Sequence, residues 1–214
     1  MDATVTVTAV ESVGPDTVAI RFETPEGFSA EPGQFVKLTG TVDDEEYSRF
    51  YTLSSPDMTA TFETTIGIDP DEGGPFSIYL ADLEPGDELE MSGPYGSDYY
   101  EGEARVVVLA GGPGVGPAVG IGERAIEDDN EASIVYRDSE PAHGDRLDAL
   151  DELGATIERI DDDEDLASHV DDVLTGTEGE QVFVYGFADF IDEAEAAIEA
   201  AGADVDETKV ENFG

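Results

Sequence analysis

Threonine and valine alternate from Thr4 to Val10, the period-two pattern of a half-buried strand. Gly14-Pro15-Asp16 marks a turn, and Thr17 to Glu23 reads as a second strand. Pro32-Gly33-Gln34 leads into Phe35 to Leu38, a third. Tyr47 to Pro56, YSRFYTLSSP, supplies a fourth, Thr59 to Ile68 a fifth, and Glu88 to Ser92 a sixth. One helix interrupts them, over Ile78 to Leu83, with Ser77 placed to cap its start. Many short strands joined by Gly/Pro turns predict an antiparallel six-stranded β-barrel or a sandwich.

The pattern changes at Arg105. RVVVLA, Arg105 to Ala110, is a continuous apolar run, as expected of a strand buried on both faces. A glycine-rich turn follows, then a helix from Pro117 to Glu127. Strands over Ser133 to Tyr136, Thr156 to Ile160, Gln181 to Tyr185 and Thr208 to Phe213 alternate with helices over Arg146 to Leu153, Asp165 to Leu174 and Asp189 to Ala201. Regular alternation predicts a parallel sheet with helices on both faces. The chain thus divides into residues 1–101 and 102–214, with Ser97 to Gly102 as the linker.

Chemistry concentrates in a few stretches. Arg49, Tyr51 and Thr52 bring a cation, an aromatic and a hydroxyl onto one strand. Gly74-Pro75-Phe76-Ser77 opens a helix whose free amides can meet phosphate. Gly112-Pro113-Gly114-Val115-Gly116-Pro117 joins a buried strand to a helix, the arrangement that presents backbone amides to a dinucleotide. Its Pro117 stands where the common dinucleotide fingerprint has Gly, and no Gly-Lys-Ser/Thr is present. An ordinary amphipathic strand, an N-cap and a tight turn account for each stretch taken singly.

Together the stretches resemble the ferredoxin–NADP⁺ reductase family. RFYTLSS is similar to its Arg-x-Tyr-Ser/Thr flavin motif, PGQFVKL to the strand before it, and Gly74-x-x-Ser77-x-x-Leu80 to its second flavin motif. Gly93-Pro94-Tyr95-Gly96 is similar to the turn ending its flavin domain, and the glycine turn to its nicotinamide motif. The resemblance implies an FAD-binding barrel followed by a Rossmann-like α/β NAD(P)-binding domain. Carried over, Arg49 binds the FAD pyrophosphate together with the helix start at Ser77. Tyr51 packs on the isoalloxazine and Thr52 sits near the nitrogen that accepts hydride, making these two the catalytic candidates. Phe50, Leu53, Ser54, Gly74, Pro75 and Phe76 fall within the same flavin motifs. Backbone amides of Gly112, Gly114 and Gly116, with Pro113, Val115 and Pro117, hold NAD(P)H. Arg137 selects a 2′-phosphate, with Arg146 a further candidate; surface ion pairs with Asp138 or Asp148 are the competing reading. Tyr185-Gly186-Phe187 matches a strand end beside the nicotinamide, with Tyr185 where the family has Cys. The Glu211-x-Phe213 ending resembles the family's last strand, and Phe213 lies near the flavin or simply packs.

Charge alters the setting. Fifty-three acids against nine bases give −44 over 214 residues, spread along the chain. This resembles proteins of extreme halophiles, where salt screens self-repulsion. It disfavours nucleic acid and anionic membranes. The absence of cysteine excludes disulfides and Cys-ligated metal centres in this chain. No signal peptide or membrane-length apolar run is evident, so a cytoplasmic protein is expected. Acid-free windows over Gly73 to Ala81, Ala104 to Gly122 and Gln181 to Ala188 predict a cleft cleared of carboxylates. Both histidines, His143 and His169, are expected at the surface. The expected electron acceptor is a ferredoxin, another carrier or a small molecule. An FAD-binding electron-transfer or regulatory subunit without nicotinamide turnover, a flavin or quinone reductase, and a non-flavin dinucleotide-binding protein remain open, as does the oligomeric state.

Overall fold

The computed structural model describes residues 1–68 and 74–214, so Gly73, the first residue of one acid-free window, lies outside the described residues. Seven elements come first: β1 (Asp2–Gly14), β2 (Thr17–Glu23), β3 (Phe35–Val42), β4 (Glu45–Thr52), β5 (Thr61–Gly67), α1 (Gly74–Ala81) and β6 (Glu88–Tyr95). The strands pair in the order β4-β3-β6-β1-β2-β5, antiparallel throughout. A bridge between Leu53 and Thr64 joins the two edges of this sheet and closes it into the predicted barrel. Alternation along the strands sends Val5, Val7, Ile20, Phe22, Val36, Leu38 and Phe62 inward. Phe22 and Phe62 stack with centroids 5.1 Å apart. Each such buried side chain contributes about 1.5–3 kcal/mol relative to exposure.

The second half comprises β7 (Arg105–Gly111), a 3-10 turn (Gly112–Gly114), α2 (Val115–Glu127), β8 (Glu131–Arg137), α3 (Gly144–Glu152), β9 (Thr156–Ile160), α4 (Leu166–Val173), β10 (Glu180–Gly186), α5 (Ala188–Ala200) and β11 (Lys209–Asn212). Its five parallel strands run in the order β11-β10-β7-β8-β9. Successive residues of β7 point to opposite faces. Val106, Val108 and Ala110 pack with α2 and α3, whereas Val107 and Leu109 pack with α4 and α5. Helices therefore cover both faces, as the apolar run RVVVLA predicts.

The halves meet along α2. A Cβ at Gly116 would fall 2.6 Å from Thr65, and one at Gly120 would fall 2.9 Å from the Ser54 backbone. These glycines, one helical turn apart, let α2 lie directly on the end of the barrel. Lys209 fastens the connecting segment by donating to the Tyr99 carbonyl at 2.6 Å and to Glu103 at 2.7 Å. Among the described residues no helix is long and apolar enough to cross a membrane.

Candidate active site at the seam of the two sheets

A groove of about 600 Å³ opens between the sheets. β4 contributes Arg49, Phe50, Tyr51 and Thr52, β5 contributes Thr65, Ile66 and Gly67, and α1 contributes Ser77. The parallel sheet faces it with the carboxyl ends of its strands, where ligands of open α/β sheets bind. β7 leads to Pro113 and Pro117, β8 to Asp138, Ser139 and Glu140, β10 to Phe187, and β11 to Phe213.

Arg49 is exposed and donates to its neighbour's carbonyl, Ser48 O, at 2.9 Å. Seven of the nine bases pair with carboxylates; among the described residues only Lys37 and Arg49 do not. In so acidic a chain, an unpaired guanidinium facing a groove is open to an anionic ligand.

Thr52 is buried and donates from Oγ1 to Glu211 Oε1 at 3.0 Å, across 159 positions of sequence. Burial pushes the Glu211 carboxyl up to about 7, against the lowering effect of the Thr52 hydrogen bond, and Asp98 adds to the rise. Folded Glu211 thus holds its proton more tightly than an unfolded carboxyl near 4.5. The associated stability is full below about 4.5 and lost as pH rises through about 7. Glu211→Gln is expected to exceed the parent in stability by about 1–3 kcal/mol at pH 8 and to match it at about pH 4. Urea denaturation at both values in fixed salt measures this; equal gaps at the two pH values would refute it.

Several expected site residues also pack as structural supports. Ser77 lies inside α1 rather than at its cap, and its Oγ donates back to Gly74 O at 3.2 Å. The Phe76 ring belongs to the barrel core and stacks near Tyr47, while Gly74 and Pro75 stay at the surface of that turn. Leu53 is fully buried in the same core, and Ser54 is buried at the seam. In the glycine turn Gly114, Val115 and Gly116 are buried; Gly112 and Pro113 are the partly open members. Gly114 presses on the Tyr185 carbonyl, where a Cβ would come within 2.3 Å. Close packing, as much as ligand approach, therefore demands these glycines.

Tyr185 does not line the groove. Its ring is buried between Phe183 and Phe213, and its hydroxyl reaches toward Gly33 without a partner among the described residues. Gly186 packs on Phe190. Phe187 is 51% exposed and meets Phe213 edge-on at 6.2 Å, so both rings face the groove. Arg137 donates to Glu193 at 2.6 Å with its guanidinium over Phe190, not to Asp138. Arg146 faces away from the groove and bridges the halves, which removes it as a phosphate ligand. His143 is buried, not at the surface; burial and the adjacent Arg146 hold its pKa down at about 3. His169 is partly exposed beside Glu158. Nor is the groove acid-free, since Asp16, Asp138 and Glu140 line it. Asp138 is engaged with the Tyr136 hydroxyl at 3.0 Å, and none of the three pairs with Arg49.

Sequence reasoning assigned no role to Glu211 or Thr65. Glu211 carried one signal, its place in the Glu-x-Phe ending; Thr65 carried none.

Residues 4–100 match the oxidoreductase FAD-binding domain family. This part of the chain is therefore similar to the FAD-binding domains of oxidoreductases. Its sequence relatives include a probable dihydroorotate dehydrogenase B electron transfer subunit of Methanopyrus kandleri, 40% identical over 108 residues covering 50% of this chain and 38% of that protein. The reductase component of propane 2-monooxygenase from Gordonia is 29% identical over 202 residues, covering 91% of this chain and 57% of that one. The chain thus spans less than two thirds of the length of these curated relatives. In fold, the whole ferredoxin reductase-like arrangement of barrel and parallel sheet is shared with the flavohem-like FAD/NAD-binding domain of a Vibrio cholerae nitric oxide dioxygenase. That likeness has a TM-score of 0.84 at 18% identity and covers 99% of this chain and 98% of that one.

Proposed function

We infer that this chain is an FAD-dependent NAD(P)H oxidoreductase whose two halves, dividing near residues 101 and 102, each hold one dinucleotide. The observation that carries this reading is the groove itself. It sets Arg49, which has no carboxylate partner among the described residues, and the Thr52–Glu211 pair opposite the glycine turn that ends β7. Bound FAD would supply hydride acceptance and release of electrons singly or in pairs. Arg49 fits the pyrophosphate, Tyr51 the ring face, and the Thr52 hydroxyl a hydrogen bond at the ring edge. Glu211, its carboxyl pushed up to about 7 by burial, can take up or release a proton near neutrality one hydrogen bond behind Thr52. Phe187 and Phe213 shield the groove from water.

The turn after β8 favours NADH. Asp138 and Glu140 line the groove there, and Arg137 is already committed to Glu193. Carboxylates accept hydrogen bonds from ribose hydroxyls and repel a 2′-phosphate. NADH is expected to exceed NADPH in kcat/KM by about tenfold or more, about 1.4 kcal/mol; equal values from steady-state assays would refute it.

The acidic surface suits concentrated salt, and we assign the chain to a halophilic cytoplasm. The acceptor is a ferredoxin or another electron carrier. The reading is tested by the visible spectrum of protein purified in concentrated salt, followed by stopped-flow mixing with NADH and NADPH. A yellow protein bleached by either supports it. Colourless protein after FAD addition would overturn it. Yellow protein that neither nucleotide bleaches would favour a flavin-binding electron-transfer subunit, the reading motivated by Tyr185 in the family's Cys position.

A further inference from the structure

Beside the groove the two halves are joined by a polar seam to which the proposed electron transfer gives no task. Arg146, in the first turn of α3, grips Glu123 of α2 through Nε at 2.7 Å and Nη2 at 2.6 Å. The same guanidinium crosses to the barrel. Nη1 donates to Glu63 Oε1 on β5 at 2.9 Å, and Nη2 donates to the Ser54 carbonyl at 2.7 Å. Four of its donor contacts are thus fixed, two on each side of the seam. Glu63, buried, accepts from Arg21 through its other oxygen at 3.1 Å.

A second contact lies alongside. His143 Nε2 is 2.8 Å from Thr65 Oγ1, and Thr65 donates to Ser54 Oγ at 3.0 Å. With that hydroxyl hydrogen spent on Ser54, the imidazole nitrogen is the donor to Thr65. The His143 backbone N–H donates across the seam to Val13 O at 2.8 Å.

The segments held here are those that carry the two halves of the site. Ser54 stands two residues after Thr52, and Thr65 itself lines the groove. Gly116 and Gly120, which abut Thr65 and Ser54, belong to the helix that continues the glycine turn. A displacement at the seam moves Thr52 relative to Gly112 and Pro113.

We propose that Arg146, with the His143–Thr65 contact, is a positioning residue that fixes the spacing of the two dinucleotide sites, making the chain one rigid body rather than two hinged domains. Its geometric part stands independently; its consequence for hydride transfer rests on the proposed function. Removing the guanidinium leaves Glu123 without a counter-charge and Glu63 with Arg21 alone, so the seam loses its bonds and gains an uncompensated carboxylate.

The chain has no cysteine, so Glu90→Cys on β6 and Glu199→Cys on α5 give two unique sites for spin labels, both exposed. The apoprotein carrying Arg146 is expected to show a single narrow label-to-label distance. Arg146→Met is expected to broaden it, and Arg146→Lys to restore it in part. If Arg146→Met does not fold, the combination Arg146→Met, Glu63→Gln and Glu123→Gln, which leaves no bare carboxylate at the seam and leaves Arg21 paired with Glu11 at 3.6 Å, is expected to broaden it too. In the flavin-loaded protein, Arg146→Met is expected to slow reduction by NADH about tenfold or more, while reduction by dithionite keeps the parent rate. An unchanged distance distribution would overturn the proposal. So would equal slowing by both reductants, which marks a general loss of structure. A parent protein that takes up no flavin would count against the proposed function, while the apoprotein distances still judge the seam.

Discussion

Arg49→Ala is expected to weaken FAD binding by about 30- to 150-fold, the equivalent of about 2–3 kcal/mol. The same change should move the unfolding free energy of the apoprotein by no more than about 0.5 kcal/mol. The asymmetry follows from the surroundings of the side chain. Arg49 is exposed, pairs with no carboxylate among the described residues, and donates to an adjacent carbonyl. It therefore supports little of the barrel. A pyrophosphate in the groove would instead receive charge-assisted hydrogen bonds from it, the strong kind. The alternative source of positive potential, a helix end, is worth only about half a charge. Flavin titration followed by fluorescence, alongside urea denaturation of the apoprotein, reads both quantities. Comparable losses in binding and stability would show that Arg49 belongs to the scaffold.

Transfer from about 3 M to about 0.1 M KCl is expected to lower the melting temperature by about 10 °C or more. The Debye length grows from under 3 Å to about 10 Å over that range, so carboxylates that ignore one another in strong salt begin to interact. Seven bases already have acidic partners, and 53 acids share nine bases in all, so most carboxylates have no counter-charge in the protein. Their summed repulsion reaches several kcal/mol, comparable with the ~5–15 kcal/mol that holds an ordinary domain together. Thermal melts of apoprotein across a KCl series decide the matter. A melting temperature flat across the series would remove the case for adaptation to salt.

Local pattern carried most of the fold and only part of the site. Strand periodicity located β2 and β9 to the residue, because each alternates or runs apolar between clear breakers. It cut β3 short at Leu38. The hairpin to β4 turns on Asp43 and Asp44, whose φ values of 51° and 65° are those of a tight turn usually built from Asn-Gly. An acidic pair in an acidic chain gives no such signal. The strand bearing Arg49 and Thr52 was legible because its residue types are unusual together. The pairing of Thr52 with Glu211, and of Thr65 with His143, was not, since nothing local links positions so far apart. The glycines of the β7–α2 turn were read as ligand contacts, yet Gly114 and Gly116 are required first by the Tyr185 carbonyl and by Thr65. Close approach to a cofactor and close approach to protein select the same residue, so sequence alone does not separate the two demands. His143 was misplaced for a related reason. Acidic neighbours in sequence suggested water, but its ring turns inward to the barrel.

Helix α2 also constrains how such a chain can change over generations. On its outward side Arg124 is partly and Glu127 fully exposed, and substitutions there meet little but solvent. On its inward side even one methyl at position 120 would collide with main chain. This helix therefore tolerates added carboxylates on one side only, and any side chain larger than hydrogen at position 120 would push the barrel and the sheet apart.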